Sequence, residues 1–144
     1  LDPVFLELEL TESCVVDDIK TAVATLNELK AIGVGLSIDD FGTGYSSLSY
    51  LKHFPMDRIK IDRSFVNEIN NSKNAQEIAL AIIAMAHSLD MEVIAEGIET
   101  QEQQSFMQAN KVEELQGFYF GRPLQVDKLE SLMREHFGKD QPSR

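Results

Sequence analysis

Strand-period and helix-period segments alternate five times along this chain, and that alternation limits what it can fold into. Phe5 to Leu10 steps every second residue, with Leu6, Leu8 and Leu10 on one side and Phe5, Glu7 and Glu9 on the other. Asp17 to Ile32 carries a helical stripe of Ile19, Val23, Leu26, Leu29 and Ile32, and Gly33 ends it. Val34, Leu36 and Ile38 alternate as a second strand, and a helix from about Ser46 stops at Phe54, before Pro55. A third strand, Arg58 to Asp62, puts Ile59 and Ile61 on one face and Arg58, Lys60 and Asp62 on the other. Ala75 to Leu89 is the clearest helix, Glu92 to Glu96 a fourth strand and Glu102 to Ala109 a shorter helix. Leu115 to Tyr119 is a fifth strand and Val126 to Phe137 the last helix. Strands joined through helices run parallel, with right-handed crossovers.

Two α/β architectures satisfy this pattern: a five-stranded doubly wound sheet, or part of an eight-stranded TIM-like barrel, which needs about 250 residues when complete. The strand faces favour the barrel. Strands buried on both faces of an open sheet read as continuous apolar runs. Here four strands carry one apolar face and one face of small or charged residues. The second face places Glu9, Asp39, Lys60, Glu96 and Gln116 near successive strand ends. In a barrel these positions converge over one mouth, where ligands bind.

Asp39 and Asp40 stand where the second strand should end, followed by Gly42 and Gly44. In a straight strand the two would point to opposite faces; a turn starting there would bring both onto one ion. Together with Glu9 and Glu96 they assemble four carboxylates, which repel one another without a cation. Hard divalent ions such as Mg²⁺ or Mn²⁺ suit oxygen ligands of this kind. Asp39 bridging two ions about 3.5–4 Å apart would suit water attack on a phosphodiester. Lys60 then holds the phosphate or the attacking hydroxide, or else it is an inward lysine paired with a barrel acid. His53, His87 and His136 are scattered, and no cysteine or histidine spacing suggests zinc.

Composition limits the partners. A net charge of −11 argues against broad binding to nucleic acid or to an anionic membrane. Cys14 is the only cysteine, so no intrachain disulfide forms and a reducing, cytoplasmic setting is expected. No run is apolar enough to span a membrane, although the domain can belong to a membrane-anchored protein.

Five motifs in order carry a resemblance: Glu9-Leu-Thr-Glu12, Asp39-Asp40-Phe-Gly-Thr-Gly44, Lys60-Ile-Asp62, Ala95-Glu96-Gly-Ile-Glu99 and Gln116-Gly-Phe-Tyr-Phe-Gly-Arg-Pro123. Together they resemble the EAL-domain family, bacterial phosphodiesterases that hydrolyse cyclic di-GMP to linear pGpG on a modified TIM barrel with Mg²⁺ or Mn²⁺. The resemblance runs from about Leu1 to Met133. It implies metal ligation by Glu9, Asp39, Asp40 and Glu96, the last directly or through water. It implies that Lys60 lies near the attacking water, that Gln116 positions water or substrate and that Pro123 contacts substrate. Glu12 would anchor the loop after Asp40, Glu99 would support the site, and Asp62 belongs to the same signature.

The family's Glu-Ala-Leu motif and a metal-binding Asn are absent, and Val112-Glu113 stands where the family often has Cys-Asp. The chain, beginning at Leu1-Asp2-Pro3, therefore reads as a cut edge that supplies the last five β–α units of the barrel. Residues 1–137 are expected to be the carboxyl-terminal part of an EAL domain and 138–144 a flexible tail. By themselves they are expected to be inactive. Expected partners are cyclic di-GMP, a second copy of the domain and an upstream sensor or diguanylate cyclase (GGDEF) module. A module that binds cyclic di-GMP without cleaving it is the competing function. A phosphoacceptor receiver fits poorly, because it carries its acidic pair on the first strand.

Overall fold

The computed structural model describes residues 2–11, 18–42 and 51–137. Within them lie five strands: β1 (Glu7–Thr11), β2 (Gly35–Phe41), β3 (Arg58–Ile61), β4 (Glu92–Glu96) and β5 (Glu114–Gln116). Every pair is parallel and the order is β1-β2-β3-β4-β5. A doubly wound sheet reverses its strand order at a switch point. This sheet never does, which is the sequential winding of a TIM barrel.

One face of the sheet is apolar. Leu36, Ile59, Ile61, Val93 and Ala95 are fully buried there. Over them pack α1 (Ile19–Ile32), α2 (Arg63–Glu68) and α3 (Lys73–Ser88), with Leu26, Val66, Ala79 and Ile83 in the same core. Each such aliphatic side chain contributes roughly 1.5–3 kcal/mol on burial. The helix starts are capped as the sequence asks. Asp18 accepts from the N–H of Lys20 and Thr21, and Ser72 from that of Ala75. Helix α4 (Gln101–Ala109) opens with a capping box between Thr100 and Gln103. Helix α5 (Val126–Phe137) has the expected bounds, but its Leu129, Leu132 and Met133 are exposed.

Several boundaries differ from the sequence pattern. Pro3–Phe5 forms a 3-10 turn, because Asp2 caps it and Pro3 fixes its φ, so the first strand starts at Glu7. Arg63–Glu68 is helical, too short a run for periodicity to reveal. The fifth strand stops at Gln116, because the next residues bond to the loop after β4. Ile98 N–H donates to Gln116 O at 3.0 Å and Tyr119 N–H to Ile98 O at 2.9 Å. A Cβ on Gly117 would lie 2.1 Å from Ile98 O, so only glycine allows this approach.

The second strand continues through both aspartates to Phe41, where a turn was expected. Ile38 pairs with Ile59 and Phe41 with Ile61, so β2 spends one residue more than β3. Asp40 has φ +54°, and the pair is a β-bulge. The bulge breaks the alternation that would set Asp40 strictly opposite Asp39. The helix expected from Ser46 falls mostly on residues 43–50, outside the described residues, as do Glu12, Cys14 and the 138–144 tail.

Candidate active site at the carboxyl ends of the strands

The second face of the sheet is built around one ammonium. Lys60, on β3, is 6% exposed. Its Nζ donates to Glu9 Oε1 of β1 at 2.7 Å and lies 2.7 Å from Glu96 Oε1 of β4. Asp39 Oδ1 of β2 is 3.1 Å away, a charge contact without hydrogen-bond angles. Burial pulls the Lys60 pKa down, but the contacts with Glu9, Glu96 and Asp39 outweigh it and hold the group above the ordinary lysine range. The pairing of Lys60 with inward acids, one of the two readings its position in the sequence allows, is present in the structure.

The strand register explains the convergence. Glu9 lies level with Ser37, and Ser37 with Arg58, two residues before Lys60. Lys60 lies level with Ile94, two residues before Glu96, which pairs with Gln116. The charged positions therefore climb from strand to strand, as barrel stagger requires. Between Glu9 and Lys60 the inner face of β2 carries Ser37, which is fully buried, followed by Asp39.

Two polar atoms there lack a hydrogen-bond partner: Ser37 Oγ and Asp39 Oδ1. A buried carboxylate oxygen with no donor is costly unless a cation faces it. Among the described residues no three acid, histidine or cysteine side chains close on one metal-sized point. Glu9, Asp39 and Glu96 close on the ammonium instead. Asp39 Oδ1, which accepts no hydrogen bond, is faced by the Lys60 charge at 3.1 Å, and the all-oxygen set of Glu9, Asp39 and Glu96 is the donor type that a hard divalent cation takes.

Beside this cluster is a cleft of about 200 Å³ lined by Arg63, Glu96, Gly97, Glu99, Gln116, Gly117 and Phe118. Gly97 has φ +75°, and a Cβ there would meet Arg63 Cβ at 2.5 Å. The loop carrying Glu96 and Glu99 is held by Gln103, which is 4% exposed. Its Oε1 accepts from the N–H of Glu99 and Thr100, and its Nε2 donates to Val66 O. Asp62 is engaged elsewhere, capping α2 through Ser64 N–H and Ser64 Oγ. Pro123 is exposed in the segment before α5 and does not line the cleft. Gln103 was not singled out in the sequence, although Thr100-x-x-Gln103 is a legible capping signal.

A second charged group was also missed. Arg58 lies two residues before Lys60 on the same face. Its Nη1 donates to Glu7 Oε2 at 2.7 Å and its Nε to Glu92 Oε2 at 2.8 Å, and Nη2 is 3.2 Å from Glu114 Oε1. The hydrogen bond to Glu92 raises its pKa, burial opposes this, and Glu7 and Glu114 add to the rise. The signal was present as an acid two residues before Glu9.

Among the described residues no helix is long and apolar enough to cross a membrane. The EAL domain model matches residues 1–123. The chain is 49% identical over 132 residues to the cyclic di-GMP phosphodiesterase NbdA of Pseudomonas aeruginosa, covering 92% of this chain and 17% of NbdA. It is 46% identical over 129 residues to MucR of the same organism, a bifunctional diguanylate cyclase/cyclic di-GMP phosphodiesterase, covering 90% of this chain and 19% of MucR. The MucR phosphodiesterase in complex with c-di-GMP superimposes with a TM-score of 0.84, over 90% of this chain and 52% of that one. Klebsiella pneumoniae BlrP1, solved with c-di-GMP and either manganese or calcium, is 37% identical with a TM-score of 0.76, over 85% of this chain and 31% of that one. The chain thus spans about a sixth of the length of such curated relatives and about half of the MucR chain. A match through all five motifs and the whole described sheet leaves one placement: this chain belongs to the EAL domain family.

Proposed function

We propose that the protein containing this chain hydrolyses cyclic di-GMP to linear pGpG. The observation that carries this is the convergence of Glu9, Asp39 and Glu96 from three parallel strands on one buried lysine, in an EAL-family chain. Glu9, Asp39, Asp40 and Glu96 would hold two divalent cations, Mg²⁺ or Mn²⁺, which would supply an acidified water and charge neutralisation at the phosphate. The water oxygen joins phosphorus, one phosphorus–oxygen bond of the ring opens, and a proton passes to the leaving oxygen. The charges suit that reaction. Four carboxylates and one ammonium carry minus three; two dications and one phosphodiester bring the assembly to neutrality.

Lys60 offers its positive charge to the reacting phosphate and water. Gln116, paired with Glu96, positions water or substrate, and Pro123 contacts the substrate. Glu99 supports the loop after β4, Asp62 supports the site through α2, and Glu12 anchors the loop after Asp40. Residues 1–137 act as the carboxyl-terminal part of the EAL domain, followed by a 138–144 tail.

We also propose a homodimer through this domain, supported by the exposed Leu129, Leu132 and Met133 of α5. A cytoplasmic setting and an upstream sensor or GGDEF module are supported by the lone Cys14 and by the bifunctional MucR relative.

The test is to incubate the full-length protein with cyclic di-GMP and Mn²⁺ or Mg²⁺ and to separate nucleotides by reversed-phase chromatography. A growing pGpG peak is expected. Bound but uncleaved cyclic di-GMP under both metals would overturn the hydrolase and leave a binding module.

A further inference from the structure

We propose that a divalent ion binds Glu9, Asp39 and Glu96 by exchange, displacing the Lys60 ammonium that those three acids hold. The inference rests on the assignment of those three acids as metal ligands.

The geometry points to exchange, not simple addition. Lys60 Nζ has three N–H groups. Two face Glu9 Oε1 and Glu96 Oε1 at 2.7 Å, and Asp39 Oδ1 is 3.1 Å away. A dication bound to those oxygens at about 2.0–2.1 Å would crowd the buried ammonium against a like charge. The ammonium must then retreat from at least part of the cluster. Three carboxylates against one ammonium leave a local charge of minus two, enough to attract one dication and too much to welcome an anionic substrate.

Exchange therefore imposes an order. While paired with Lys60 the three acids mask its charge, and the net negative cluster repels a phosphodiester. Metal entry neutralises the acids and releases Lys60, whose stem remains anchored on β3. The freed ammonium is then available to the anionic substrate, so metal loading precedes productive substrate binding.

Mn²⁺ titration of the full-length protein, followed by calorimetry and by the electron-spin signal of free Mn²⁺, tests this. Lys60→Met keeps the length of the side chain without its charge. It should bind Mn²⁺ about tenfold more tightly than wild type, while Lys60→Arg should show no gain. Unchanged or weaker binding by Lys60→Met overturns the exchange. Asp39→Asn should weaken Mn²⁺ binding. If it binds like wild type, the ligand assignment itself has failed, and the exchange falls with it. Should Lys60→Met not fold, the wild-type protein still decides. Reductive dimethylation read by peptide mass spectrometry should label Lys60 several-fold more with Mn²⁺ than without it, and equal or lower labelling overturns the proposal.

Discussion

Arg58 and Lys60 stand two residues apart on the same face of β3, and each gathers three carboxylates from other strands of the sheet. Lys60 holds the acids of the candidate site. Arg58 holds Glu7, Glu92 and Glu114, one tier nearer the amino-terminal ends. The lower tier joins β1, β4 and β5 through one guanidinium.

Arg58→Met should therefore lower the melting temperature. Exposed ion pairs contribute only about 0.2–1 kcal/mol each, and Glu92 and Glu114 are half exposed, so a total of about 1–2 kcal/mol is expected. Arg58→Lys should recover only part, because an ammonium cannot present a fork to two strands. A melting temperature equal to wild type for Arg58→Met would show that this tier contributes nothing.

Asp39→Asn removes a ligand charge while keeping the side-chain shape. Turnover of cyclic di-GMP should fall at least about a hundredfold, since such a charge contributes several kcal/mol to the transition state. Circular dichroism should be unchanged. Near-normal turnover would remove Asp39 from the site.

Ca²⁺ is larger and looser in its geometry than Mg²⁺ or Mn²⁺. In protein stripped with chelator, Mg²⁺ or Mn²⁺ should restore hydrolysis and Ca²⁺ should not. Full activity with Ca²⁺ alone would contradict a tight two-metal site.

Gly117→Ala places a Cβ against the Ile98 backbone, at 2.1 Å from its carbonyl oxygen. Backbone cannot yield as a side-chain tip can. A loss of at least about 2 kcal/mol is expected in urea unfolding. Unaltered stability would mean that the loops after β4 and β5 are not locked together.

Glu113 sets a pH dependence. Burial alone would raise its carboxyl pKa, but Val93 N–H and His87 outweigh it and hold the group below the ordinary glutamate value of 4.5. A carboxyl depressed in the folded state stabilises above its unfolded pKa and loses that effect as pH falls through the folded value. Wild type should thus exceed Glu113→Gln in urea midpoint at pH 7, and the gap should narrow as pH falls below the ordinary glutamate value of 4.5. A gap that is constant with pH would rule out this linkage.

The sequence pattern revealed the βα alternation through the switch between strand and helix periods, and the row of Glu9, Asp39, Lys60 and Glu96 through the period of two on the strands. Local rules could not reveal the bulge at Asp39 and Asp40. An aspartate in left-handed backbone carries no mark in one sequence, and tertiary pairing with β3 decides it. Strand β5 is shortened by Ile98, eighteen residues away from Gln116, which no local propensity can see. The three partners of Lys60 come from three different strands, so their meeting depends on register. Helix α2 is the exception: Asp62-x-Ser64 was a visible cap ahead of a run too short for periodicity.

On the inner face of β2, Gly35 and Ser37 leave a trough between β1 and β3. Those two strands share no ladder, yet Glu7 reaches Arg58 and Glu9 reaches Lys60 across it. The trough makes next-but-one strands into electrostatic neighbours. A valine in place of the fully buried Ser37 would crowd that trough and push Glu9 and Lys60 apart, and Glu9 would then have to draw its counter-charge from solution.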